Sequence, residues 1–501
     1  MLGFWLLPTR QGHCSGSERR TAARTARTRS GSLPSVKLIE RATRRRSGPP
    51  AAAGTGAAVA SSRLGWLDAL RGIAALSVAV YHLALPFVWL HANHVPRYLD
   101  PGIFGVMLFF LVSGYIIPAS LERRGDVRAF WAGRFFRIYP VVIVTVVLSL
   151  LILPRSHTVI QGWVFDHPLL TLAGNGLMVQ DMMGVTNVIG VMWTLTYEMI
   201  FYYFVTALFV RGWHRQSAPI SIGFAAAALV LGAWLPLSTI TGSGLPAIRH
   251  LVLAAGIVVV AAMVCIFTGR ADLTRWGGSM IGGLGLVLIL LNSRAAAFET
   301  LIIFATMFAG TVLYRLEHGQ IDKVPALLCC AFVLTSGVVS GYMYNRDQAL
   351  WHTWSESWKA FSFAYLAAWA VFAVGMLLRR RRFPRWLSWL GTISYSLYLL
   401  HNPVIHGMEW LLEDRKPFES WQGRSVQFVA FTAALLLLSY LAYRLVEIPF
   451  QNLGRKAVKA LNRRFPAAPL HDGPAAAAPP GPRAPEPAAA REATPVPVGS
   501  A

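Results

Sequence analysis

Apolar runs long enough to cross a bilayer recur along the chain, separated by short clusters of arginine, glycine and polar residues. At 1.5 Å per residue, a helix needs roughly 17–25 mostly apolar residues to cross about 30 Å of hydrocarbon. Twelve stretches meet or approach that length, at 66–90, 103–120, 139–154, 189–210, 218–236, 248–268, 277–292, 298–315, 325–343, 357–378, 386–410 and 425–446. The third and seventh are short, and the seventh is glycine-rich. The pattern therefore predicts an all-α, polytopic transmembrane bundle of ten to twelve spans over residues 64–450.

Composition agrees with this. The 501 residues are 55% hydrophobic and only 14% charged, with a mean hydropathy of +0.48. The net charge of +23 raises the question of nucleic acid, but its placement excludes that partner. Residues 1–63 hold twelve Arg/Lys against two acids among Ser, Thr, Ala and Gly, without heptads, zinc spacing or interleaved aromatics. This is the pattern of a disordered basic arm able to sit on anionic lipid heads. The apolar run near Met1 is too short for a signal-peptide core. From residue 451 the chain is basic and then Ala/Pro-rich, which predicts a disordered tail. Four cysteines show neither a disulfide framework nor metal-ligand spacing, so no metal site is expected.

Basic residues alternate between loops. Those after even-numbered spans carry Arg123, Arg124, Arg128, Arg134, Arg137, Arg211, Arg215, Arg270, Arg275, Arg315, Lys323, Arg379 to Arg382 and Arg385, and the longer loops after odd-numbered spans carry half as many. The positive-inside rule then puts both termini and the even loops in the cytoplasm.

Ionisable groups inside such spans mark function by default, because burying them in a membrane is costly. Five signals recur: Leu70-Arg71-Gly72 followed by His82; Gly105-Val-Met-Leu-Phe-Phe-Leu-Val-Ser-Gly-Tyr115; Arg134-Phe-Phe-Arg137-Ile-Tyr-Pro140; Trp193-Thr-Leu-Thr-Tyr-Glu198; and Leu390 through Ser394-Tyr-Ser396 to His401-Asn-Pro403, with Glu447-Ile-Pro449 beyond. In this order they resemble the integral-membrane acyltransferase 3 family, whose members O-acylate bacterial surface glycans and other hydroxylated products. The resemblance covers about residues 64–450. It departs at Met107, where many members carry an acid.

The resemblance implies a multi-pass enzyme of the bacterial inner membrane that moves an acyl group, acetyl being expected, from cytoplasmic acyl-CoA to a glycan hydroxyl. Counting along the spans puts His82, His401 and Glu198 within about one turn of each other in depth, with Arg71 near the cytoplasmic edge. Imidazole titrates near neutrality, so His82 is the expected base, and Glu198 would orient it or a substrate hydroxyl. Arg134 and Arg137, three residues apart, would share a helix face and, with Arg71, take the CoA phosphates. Trp193, Ser394, Tyr395, Ser396 and His401 are expected along the acceptor path.

Structural readings compete at each position. His82 could be a packing hydrogen bond, Arg134 and Arg137 ordinary inside-positive loop residues, and Glu198 the partner of a buried Arg or Tyr. Trp193 could be an interface anchor. Ser394 and Ser396 could bond their own backbone, and His401 could support a kink at Pro403. Two other functions stay open: the same chemistry on a small product such as a macrolide or lipid, and a polytopic solute transporter. The low-complexity residues after Glu447 are too few for a soluble transferase domain, so the chain is expected to complete the transfer or hand the acyl group to another protein.

Overall fold

The computed structural model describes residues 54–87, 98–154, 160, 162–346, 357–412 and 421–470. Most of the predicted basic arm and the Ala/Pro-rich end of the tail lie outside these residues. Among the described residues there is no strand.

A helix stands at each of the twelve expected positions. They are α1 (Gly54–Phe87), α2 (Pro101–Arg124), α3 (Val127–Ile152), α5 (Trp193–Val210), α6 (Ser217–Leu231), α7 (Leu245–Phe267), α8 (Ala271–Asn292), α9 (Ala297–Glu317), α10 (Lys323–Asn345), α11 (Trp358–Leu377), the broken pair α12 (Arg385–Thr392) and α13 (Ser394–Leu412), and α14 (Trp421–Ala442). A short helix, α4 (Pro168–Leu177), lies between α3 and α5, and a last helix, α15 (Ile448–Arg464), follows α14. Among the described residues, nine helices are long and apolar enough to cross a membrane. The exceptions at expected positions are α1, the 15-residue α6 and the broken α12–α13 pair.

Three expectations need correction. Arg134 and Arg137 do not lie in a loop. Helix α3 begins at Val127, because Gly125 and Asp126 complete the turn from α2. Gly125 adopts φ +65° and returns its N–H to Leu121 O (2.9 Å), and Asp126 caps α3 by accepting from the amides of Arg128 and Ala129. The basic arm does not reach residue 63, since α1 is helical from Gly54. The disordered tail does not begin at 451, because α15 continues to Arg464 and packs on α3.

Helix α9 is buried almost throughout, between α2, α6 and α10. Gly114 and Gly310 allow its closest approach, to α2: a Cβ on Gly310 would sit 2.5 Å from the Leu111 carbonyl oxygen, and Thr311 Oγ1 donates to Gly114 O (2.8 Å). Lipid gives helices no hydrophobic reason to associate, so small residues and interhelical hydrogen bonds hold them together. At the arginine-rich end, buried Arg315 donates to Glu122, Ser217, Gln320 and the His214 carbonyl, tying α9 to α2 and α6. Helix α1 packs on α2, α12 and α13, which brings its Arg71 to a cavity between helices and its His82 beside His401.

Candidate active site

A narrow cavity of about 80 Å³ opens between α1, α2, α3, α5 and α13, with room for a few waters or one thin ligand arm. Its wall carries three guanidiniums (Arg71, Arg134 and Arg137), the Glu198 carboxylate, and the hydroxyl side chains Ser113, Thr194, Tyr202, Tyr395 and Tyr398, on an otherwise apolar surface.

Six of these polar groups are fixed by a neighbour. Arg134 Nη2 donates to Ser120 Oγ (3.0 Å), and its guanidinium lies over the Phe130 and Tyr202 rings at 5.0 and 4.9 Å. Such stacking suits arginine rather than lysine. The Tyr202 hydroxyl donates to Glu198 Oε1, one turn earlier on α5. Tyr395 donates to the Ile138 carbonyl (2.8 Å), joining α13 to the helix that carries the arginine pair. Tyr398 shares a 2.9 Å hydrogen bond with Thr194 and reaches Val191 O at 3.1 Å.

Beyond Tyr398 the polar path continues through rings. The Tyr398 and His401 centroids are 5.7 Å apart, and those of His401 and His82 are 4.9 Å apart. His82 Nδ1 is 2.9 Å from the Val78 carbonyl oxygen. A carbonyl can only accept, so Nδ1 holds the proton and a neutral ring keeps its lone pair on Nε2. His401 is fully buried, and neither ring nitrogen has a well-formed hydrogen bond.

Glu198 is not the group that orders His82; it is the partner of a buried tyrosine, the competing reading of that position. Glu198 bonds Tyr202 and faces the arginines, and the imidazole is oriented by Val78 instead. Arg71, expected at the cytoplasmic edge, lines the same cavity as Glu198. Helix spacing along single spans gives depth but not rotation, and rotation decides which side chains converge.

The other predicted positions divide. Arg134, Arg137 and Tyr395 line the cavity. Trp193 does not; it packs edge-on against Tyr197 at 5.8 Å. Ser394 is buried with its hydroxyl unpartnered and off the cavity wall. Ser396 Oγ donates to Glu447 Oε2 (3.2 Å) rather than into the cavity. Five contributors were not singled out from the sequence: Ser113, Thr194, Tyr202, Tyr398 and Glu447. Thr194 and Tyr398 sit inside quoted motifs, but their hydrogen bond needs α5 and α13 side by side. Glu447 closed a motif without being given a role. Among the described residues no group of three or more His, Cys, Asp or Glu could hold a metal.

The chain matches the family model described as an acyltransferase domain over residues 64–444. It belongs to the acyltransferase 3 family. Membership sets it among membrane acyltransferases rather than solute transporters. It is 23% identical over 400 residues to a peptidoglycan O-acetyltransferase of Listeria monocytogenes, a match that takes in 77% of this chain and 56% of that protein. The chain thus spans little more than half the length of that relative. A Staphylococcus aureus protein whose name calls it an O-acetyltransferase is 34% identical over 103 residues, 19% of this chain and 15% of its own length. Nodulation protein 10 of Rhizobium leguminosarum bv. viciae is 29% identical over 147 residues, 26% of this chain and 39% of its own. No solved structure matches.

Proposed function

We propose that this acyltransferase 3 member is a membrane O-acetyltransferase that moves an acetyl group from acetyl-CoA to a hydroxyl of a cell-envelope glycan. One separation carries the reading. Arg71, on the cavity wall, and His82 stand eleven residues apart on α1, about 16 Å along the helix axis. A donor gripped by guanidiniums at one end must therefore present its reactive carbon at the end of a long thin arm. Coenzyme A thioesters have that shape, with phosphates at one end and an acylated thiol at the other. The narrow cavity suits such an arm and is too small for a polymer.

In this reading the arginine-dense helix ends face the cytoplasm of a bacterial inner membrane, where acyl-CoA is made. Arg71, Arg134 and Arg137 take phosphate oxygens. The acceptor comes from the opposite side. His82 Nε2 accepts the proton of the glycan hydroxyl as its oxygen attacks the thioester carbonyl. Tyr398 and Thr194, whose hydroxyls meet on the cavity wall, would turn a proton toward the oxyanion that develops. Collapse breaks the carbon–sulfur bond, and the imidazolium returns its proton to the departing thiolate. The products are the O-acetyl ester and free CoA. The name of the Listeria relative supports the glycan acceptor.

Purified protein in lipid nanodiscs with labelled acetyl-CoA tests the donor, and glycan mass analysis of a deletion strain tests the acceptor. Thioester consumption by wild type that His82→Ala abolishes, with an acetyl increment that only wild type restores, is the expected result. Thioester that stays intact with wild-type protein and acceptor-bearing membranes would defeat the reading.

A further inference from the structure

Three guanidiniums face one small space, and Glu198 is the one carboxylate among its described lining residues. Arg71 and Arg137 line the same small cavity, so their like charges oppose each other. Confined like charges of this kind need counter-charge nearby. Glu447 closes the Tyr443–Glu447 turn, which packs against α3, the helix that bears Arg137, and its carboxylate, with that of Asp68 on α1, is placed to offset the arginine charge.

Glu447 is held as firmly as the cavity groups. It ends a five-residue π turn, Tyr443–Glu447, between α14 and α15. Such wide turns concentrate at functional positions. The side chain is 3% exposed, and its carboxylate accepts from Ser396 Oγ (3.2 Å) and Gln451 Nε2 (3.0 Å). Ser396 directly follows Tyr395, which lines the cavity. The helix after Glu447 is fastened to the helix that bears Arg137. A Cβ on Gly454 would come within 2.8 Å of Phe136, the residue before Arg137. Further along, Asn462 Nδ2 donates to Asp126 Oδ2 (2.7 Å) and accepts from Arg128 Nη2 (3.1 Å).

We propose that Glu447 is a positioning residue of the donor site, a fixed internal counter-charge that keeps Arg137 and Arg71 aimed into the cavity. It acts through the arginines and touches no substrate. Without it, the two guanidiniums repel each other and splay before the donor arrives. The proposal rests on the acyl-CoA reading above.

The test uses full-length protein in nanodiscs with acetyl-CoA. Glu447→Gln keeps the volume and loses the charge. It should raise the acetyl-CoA KM about tenfold while kcat stays within about threefold, and Glu447→Asp should recover part of the loss. A structural defect would add to the effect of an arginine variant, whereas an effect exerted through Arg137 would not. The double variant Glu447→Gln/Arg137→Gln should therefore bind acetyl-CoA within about twofold of Arg137→Gln alone. If Glu447→Gln does not fold, Ser396→Ala loosens the same carboxylate and should raise KM about threefold. A KM within twofold of wild type in Glu447→Gln, or in Ser396→Ala when that variant stands in, or single-variant effects that multiply in the double variant, would overturn the proposal while leaving the donor assignment intact. Wild-type protein that consumes no acetyl-CoA would overturn both.

Discussion

His82 on α1 and His401 on α13 lie with ring centroids 4.9 Å apart and planes inclined by 48°. Their residue numbers differ by more than three hundred, and they meet because α13 packs along α1. The Val78 carbonyl orders the first ring, and the second is sealed in the bundle. The pair is therefore unequal: one ring is held by a backbone hydrogen bond and, in the proposed reaction, is the base, and the other is packed against it with neither nitrogen well bonded.

That asymmetry predicts unequal losses. His82→Ala should lower kcat by about 10²–10⁴-fold, the usual contribution of a positioned base. His401→Phe keeps a ring against His82 and should cost roughly tenfold or less. Acetyl-CoA turnover by both variants checks this, and equal losses would contradict the assignment.

Arg137→Lys retains a positive charge but loses the planar fork. Because guanidinium geometry matches phosphate oxygens and an ammonium does not, the acetyl-CoA KM should rise at least fivefold with a smaller change in kcat. Free CoA should lose inhibitory power in parallel. A lysine variant with wild-type KM would show that Arg137 contributes charge alone.

The α2–α9 crossing has no room for added volume. Gly310→Leu must force its side chain against the backbone of Leu111, Gly114 and Tyr115. Overpacking of this kind costs about 1–3 kcal/mol or more, so the melting temperature in detergent should fall clearly. Gly283→Leu, at a position on α8 with open space beside it, is the control and should leave the melt nearly unchanged.

Asp181, in the turn before α5, sits apart from the cavity. Burial pushes its carboxyl above the ordinary 3.8, although Arg294 and Asn187 pull the other way. An acid with a raised folded-state pKa binds its proton more tightly in the folded protein. Its contribution to stability is therefore present below the ordinary value and lost as pH rises through the raised one. Asp181→Asn should melt at or above the wild-type temperature at pH 7.5, and the difference should shrink as pH falls toward 4. Melting curves across that range check the sign.

The sequence by itself determined the helices and the family. Each of the twelve apolar runs located a helix, one of them broken in two, because hydropathy and turn chemistry act over a few residues and each helix satisfies its own backbone. The motif order named the enzyme class, and the spacing of Arg134 and Arg137 put both on one cavity wall. The Gly125-Asp126 turn was also local and readable, but the arginines on either side made it look like a loop. Tertiary structure alone decided which charges meet. Glu198 turned to Tyr202 and the arginines rather than to His82, His82 found His401, and Glu447, far along the chain, came in a turn packed against the helix of the arginine pair. Depth along a helix follows from counting residues. The rotation of one helix against another follows from packing small side chains such as Gly114 and Gly310, and no periodicity within a single span encodes it.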